Sequence, residues 1–163
     1  AAEIVAPAGA SEHQTGLAID FTTSKLLHGD DPLTEEFGQT VQGKWLSENS
    51  WKYGYIMRYL PDKKDKSGII YEPWHFRYIG RPHSEIMYRN NWCLEEYIDY
   101  IKEKKYIEFV SNEEEGDTKT RYEVFYCRTP LPEELFRKEL GHEIRYEISG
   151  NGRDGYIITI LHT

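Results

Sequence analysis

The residues Ser11 to Asp20, SEHQTGLAID, constrain this chain more than any other stretch, because they carry a histidine and an aspartate out of a turn and into a strand. His13 lies in a polar segment with Ser11 and Gln14, and Gly16 permits a change of direction. Leu17, Ile19 and Phe21 then alternate with Ala18 and Asp20 in the period of a half-buried strand, so Asp20 faces away from the apolar set. An imidazole on the turn and a carboxylate on the strand that follows can meet at one point. Neutral imidazole nitrogen and carboxylate oxygen are preferred ligands of zinc. Alone the pair is a weak signal, since many soluble proteins place a histidine and an aspartate this close.

A second stretch strengthens it. In Tyr71 to Gly80, YEPWHFRYIG, Glu72 and His75 stand among aromatics and Arg77 follows. A catalytic zinc takes three protein ligands and keeps a fourth position for water, and His13, Asp20 and His75 meet that requirement. Glu72 is then a spare carboxylate able to take a proton from the water. On a regular strand Glu72 and His75 would face opposite sides. Pro73 cannot donate a ladder hydrogen bond, so a bulge, strand end or edge position is expected here, which could bring both groups to one side. Arg77 shares the His75 face, where it either holds a substrate carboxylate or pairs with an acidic neighbour, and pairing is the preferred reading. Trp74 either walls a pocket or packs in the core.

These residues resemble a known family. Ser11, His13, Gly16, Ala18 and Asp20 fit SxHxxGxAxD, and Glu72, Trp74, His75 and Tyr78 fit ExWHxRYxG, the two signatures of zinc D-alanyl-D-alanine carboxypeptidases of the VanY and VanX type. The phrasing is most similar to the bifunctional VanXY dipeptidase/carboxypeptidases of vancomycin resistance. The resemblance covers roughly Ala6 to Lys105. It implies zinc on His13, Asp20 and His75, Glu72 as catalytic base, and Ser11 in contact with substrate. It also implies an arginine and further elements of the fold upstream of the first motif, where this sequence has only AAEIVAPAGA; the N-terminal part of the family fold is therefore expected to lie outside it.

Composition bounds the alternatives. A net charge of -8 argues against nucleic acid, because phosphate binding needs a basic surface. No apolar run approaches the roughly 20 residues that span a bilayer. Cys93 and Cys127 match no CxxC pattern, so reduced thiols and a cytoplasmic place in a bacterium are expected. Thr22 to Pro32 reads as a loop, and His28 with Asp30 as part of it, not as a second metal site. Apolar residues at Phe37, Val41, Trp45 and Leu46 predict a helix over Leu33 to Asn49, with Phe37 and Trp45 in the core. Tyr55 to Leu60 and Ile69 to Ile79 read as paired strands joined by the charged loop Pro61 to Gly68. His83 reads as a turn or helix-start residue, and a second helix is expected around Leu94 to Ile101.

Past Tyr106 the motifs stop. Tyr106 to Val110, Arg121 to Cys127, His142 to Ser149 and Tyr156 to Leu161 read as strands, with a helix over Leu131 to Leu140. The acidic loop Ser111 to Thr120 lacks the spacing of a calcium loop. His142 and His162 read as surface or packing residues. The expected fold is α+β: a small antiparallel central sheet flanked by helices and carrying the zinc site over 1–105, then a ββαββ accessory unit over 106–163. The expected function is a zinc-dependent D,D-carboxypeptidase or D,D-dipeptidase acting on the terminal D-Ala-D-Ala of peptidoglycan precursors, in the setting of vancomycin resistance. An L,D-carboxypeptidase of cell-wall peptides and an inactive cell-wall-binding module are the alternatives.

Overall fold

The structure, a computed structural model, describes residues 11–111, 119–129 and 145–162. It divides into two compact units, Ala1–Glu96 and Tyr97–Thr163. Both carry antiparallel sheet, and helices complete an α+β fold.

The sheet of the first unit has three strands: β1 (Ala18–Asp20), β2 (Tyr55–Tyr59) and β3 (Glu72–Tyr78), in the order β1-β3-β2. β3 is the central strand and is buried along most of its length, polar and apolar residues alike. Against β1 the register is regular and sets Asp20 directly opposite His75. Against β2 it slips: Met57 pairs with Phe76 but Tyr59 pairs with Glu72, so Pro73, Trp74 and His75 lie opposite Arg58 alone. This is the irregularity that Pro73 leads one to expect, since a proline can donate nothing to the ladder.

Behind the sheet Trp74, Phe76 and Phe37 form a core, with Phe21, Leu26, Leu33, Leu46, Tyr55 and Met57 packed around it. The helix expected over Leu33 to Asn49 is broken into a 3-10 turn, Glu35–Gln39, and a helix α2, Val41–Asn49, where α1 is the single turn Ser24–Leu27. Thr40 makes the break. Its hydroxyl accepts the Gly43 N–H as an N-cap, which starts α2 afresh. Gly43 is required there, because a Cβ on it would stand 2.0 Å from the Phe37 carbonyl oxygen. The restart turns Trp45 outward: it is 50% exposed, against the expectation of a core position, while Phe37 is buried as expected. Thr22 to Pro32 likewise differs from a plain loop, because Thr23 caps α1 by accepting from the Leu26 N–H.

The loop Pro61 to Gly68 contains a helical turn α3, Lys64–Ser67. His83 opens a helix α4, His83–Asn90, and is buried; α5, Leu94–Lys104, carries the boundary between the units. The second unit is a four-stranded sheet of β4 (Tyr106–Ser111), β5 (Thr120–Cys127), β6 (Arg145–Gly150) and β7 (Tyr156–His162), ordered β4-β5-β7-β6. Ile158 and Ile160 centre its core, and Asn151 ties the β6–β7 turn by accepting three backbone N–H bonds, from Arg153, Asp154 and Gly155. His162 pairs with Glu123. The helix expected over Leu131 to Leu140, His142, the middle of the acidic loop and Ala1 to Ala10 lie outside the described residues. Cys93 and Cys127 are free thiols, and among the described residues no helix is long and apolar enough to cross a membrane.

Candidate metal centre

The first motif folds as a 3-10 turn, Glu12–Thr15, closed by Gly16 at φ 70, a left-handed conformation that glycine adopts without cost. The turn carries His13, the strand that follows carries Asp20, and pairing with β3 brings His75 opposite. One ligand atom from each of His13, Asp20 and His75 lies within 4.8 Å of the others. Asp20 Oδ1 is 3.4 Å from His13 Nε2 and 3.2 Å from His75 Nδ1, and the two imidazoles meet edge to face. Glu72, from the slipped end of β3, joins them with Oε2 3.4 Å from His75 Nδ1.

The remaining expected site residues separate. Arg77 donates through Nη1 to Glu12 Oε2 at 3.0 Å, which is the acidic pairing preferred from sequence. Trp74 is on the far side of β3, packed with Phe37 and Phe76, so the alternation of the strand gives it to the core. Ser11 is half-exposed at the head of the turn; its carbonyl accepts from Gln14 N–H and its hydroxyl makes no capping bond.

Two residues of consequence escaped the sequence reading. Glu12, the unspecified position between Ser11 and His13, accepts a 2.7 Å hydrogen bond from His75 Nε2 and further bonds from Arg58 Nε and Arg77 Nη1. Tyr59 stacks at an angle on the His75 ring, and burial pushes its phenol up to about 12. Neither had a signal in spacing, because their partners come from other strands. Arg58 grips Glu95 with both terminal nitrogens, at 2.6 and 3.0 Å, while donating to Glu12.

The electrostatics call for a cation. With the His75 Nε2 proton given to Glu12, a neutral ring turns the lone pair of Nδ1 toward two carboxylate oxygens, a repulsive arrangement unless a positive charge sits between them. Asp20 Oδ1 is sealed from solvent yet makes no well-aligned hydrogen bond, and a buried orphaned carboxylate oxygen is costly. Around this point the carboxylates of Glu12, Asp20, Glu72 and Glu95 face the guanidiniums of Arg58 and Arg77, an excess of acidic groups that a bound cation would offset. A proton can occupy the position instead. Burial works against a charged His75, but the adjacent Asp20 and Glu12 carboxylates outweigh it and push its pKa up to about 9. Glu72 is pushed up to about 7, chiefly by burial, while His75 pulls it down and Asp20 and Glu12 add to the rise. Glu12 is also opposed by burial, yet His75, Arg58 and Arg77 hold it below the usual carboxylate range. Two nitrogens and one oxygen in a closed triangle could hold a metal ion, and the carboxyl of Glu72 beside them could accept a proton.

Comparison with known proteins agrees with this geometry. Residues 1–81 match the family described as VanY, D-alanyl-D-alanine carboxypeptidase. A D-alanyl-D-alanine carboxypeptidase of Enterococcus faecium is 45% identical over 160 residues, covering 98% of this chain and 47% of that protein. The bifunctional D-Ala-D-Ala dipeptidase and D-Ala-D-Ala carboxypeptidase VanXYC of Enterococcus gallinarum is 44% identical over 99 residues, 61% of this chain and 52% of its own length. Among solved structures, the vancomycin resistance D,D-dipeptidase VanXYg in complex with a D-Ala-D-Ala phosphinate analog superposes with a TM-score of 0.78 at 34% identity, covering 98% of this chain and 61% of that one. The chain spans about half the length of the curated relatives it matches.

Proposed function

Residues 1–81 belong to the VanY family of D-alanyl-D-alanine carboxypeptidases, and from that premise we propose that this chain supplies the metal centre of a zinc-dependent D,D-peptidase. Its substrate is the terminal D-Ala-D-Ala bond, in the free dipeptide or at the end of a peptidoglycan precursor. The observation that carries the reading is the meeting of His13, Asp20 and His75 around a sealed, orphaned aspartate oxygen with Glu72 alongside. Two imidazoles with one carboxylate suit zinc better than the oxygen-only sets preferred by calcium or magnesium. The likeness to VanXYg, solved with a D-Ala-D-Ala phosphinate analog, supports the same substrate, and loss of D-Ala-D-Ala ends is consistent with a part in vancomycin resistance. Two free cysteines suit the reducing cytoplasm we propose for it.

His13 Nε2, Asp20 Oδ1 and His75 Nδ1 would hold the ion. When bound, zinc acidifies water and draws electron density from a carbonyl oxygen. Glu72 takes a proton from the attacking water as the carbon–oxygen bond forms at the scissile carbonyl. It returns that proton to the departing amine as the carbon–nitrogen bond breaks, which releases D-alanine. Burial suits Glu72 to both halves, since a carboxyl poised near neutrality accepts and gives up a proton with similar ease. All of these groups lie in the first unit, to which we assign the chemistry; the second unit is assigned an accessory role.

The test is release of D-alanine from D-Ala-D-Ala, from a pentapeptide ending in D-Ala-D-Ala and from an L,D-tetrapeptide, with and without chelator. Release from the D,D substrates that stops with chelator and returns with zinc is the expected result. Release from the tetrapeptide alone would make it an L,D-carboxypeptidase, and binding without release of any would make it a wall-binding module.

A further inference from the structure

We propose that Glu12 is the positioning residue of this centre: its carboxylate holds the proton of His75 Nε2 and thereby commits Nδ1 to the metal. The inference rests on the reading of the site as a zinc peptidase and assigns a role that neither sequence signature specifies.

The geometry is direct. His75 Nε2 and Glu12 Oε1 are 2.7 Å apart, within the range of a hydrogen bond to an ionised acceptor. The opposite ring nitrogen, Nδ1, is the one that faces Asp20 and Glu72. An imidazole that gives its proton on one side must offer its lone pair on the other, so Glu12 selects the tautomer and fixes the plane of the ring.

Glu12 is itself held. Its second oxygen, Oε2, accepts from Arg77 Nη1 at 3.0 Å and Arg58 Nε at 3.3 Å, and Arg58 is anchored in turn by the two-pronged grip on Glu95. Arg58 is the one residue of β2 at the register slip, opposite the strand segment that bears His75, so the slip that admits Glu72 also aims the guanidinium at Glu12. The first motif thus does two things in one turn. His13 is a ligand, and its neighbour Glu12 orients a ligand on a strand far along the chain. An ordinary surface ion pair would show neither the short bond to a ring nitrogen nor two converging guanidiniums on a largely buried carboxylate.

The experiment compares wild type with Glu12→Gln and Glu12→Asp in the intact chain. Zinc affinity is read by competition with a chelator, and the His75 ring by nitrogen NMR of histidine-labelled protein, with the signal assigned through His75→Asn. Wild type should show a slowly exchanging proton on His75 Nε2 when zinc is bound. Glu12→Gln should lose that protection and bind zinc about 10- to 100-fold more weakly. Glu12→Asp keeps the charge that the arginines need but withdraws it from the ring; it should fold and fall between the two, so it decides the matter should the Gln variant not fold. Unchanged affinity with an unchanged Nε2 proton in the variants, while wild type takes up zinc, would overturn the positioning role and leave the peptidase reading standing. A wild type that takes up no zinc would overturn the peptidase reading, and this inference with it.

Discussion

The surroundings of Glu72 suit it to the proposed role of base. Burial pushes it up to about 7, so without metal a large fraction of the chains hold a proton there at neutral pH. A divalent ion on the neighbouring triad favours the carboxylate and lowers that value. The acidic limb of a kcat/KM profile should therefore lie below about 7, rate rising with pH as the base loses its proton; a limb centred well above 7 would contradict the assignment. Glu72→Gln should cost about 100- to 10,000-fold in kcat while zinc stoichiometry stays that of wild type, because the amide keeps the shape but cannot accept the proton. The convergence of His13, Asp20, His75 and Glu72 was legible in sequence because the two motifs that carry them match one family pattern in order. Glu12 was not, because a carboxylate acquires a positioning role only through the imidazole and guanidiniums that other strands bring to it.

At the level of elements, β3 joins the site to the core. His75 and Arg77 point to one face and Trp74 and Phe76 to the other, so the packing behind the strand sets where His75 sits. Phe76 is fully buried. Phe76→Ala should destabilise the protein by about 3 to 5 kcal/mol in a denaturant titration through lost packing and the cavity left behind. A loss under about 1 kcal/mol would show that the strand is held by something other than this core. Alternating strands were legible from sequence: the observed strands fall within a residue or two of the expected ones at β1, β2 and β5. The single helix over Leu33 to Asn49 was not what formed. Periodicity treats Phe37 and Trp45 as one stripe, whereas the Thr40 cap resets the phase between them and leaves only Phe37 inside. Of α4 only the start at His83 was legible, for a related reason: His83, Ser84 and Glu85 are buried there, polar residues that an apolar count cannot recruit.

The molecule as a whole was legible as α+β with antiparallel sheet, because the strand and helix periods differ plainly along the chain. Where it divides was harder to read. The motifs end near Lys105, but the compact units part within α5, since a helix belongs by contact to whatever its faces touch and not to the motif before it. Acid stability is the global property that one buried group marks. Burial lowers His83 to about 4 from an ordinary 6.5, so between those values the unfolded chain takes up a proton that the native one refuses. Stability from this group is complete above about pH 6.5 and is lost as pH falls toward 4, roughly 3 kcal/mol in all. The stability difference between wild type and His83→Gln, followed from pH 7 to 4 at a fixed metal content, should shrink by that order; a constant difference would show that His83 does not titrate this way. The central claim is that three side chains grip one ion, and zinc K-edge absorption of protein loaded with one equivalent tests it most directly. Two imidazole nitrogens and oxygen at about 2.0 to 2.2 Å are the expected first shell. A first shell with sulfur, or with oxygen alone and no imidazole scattering, would contradict it.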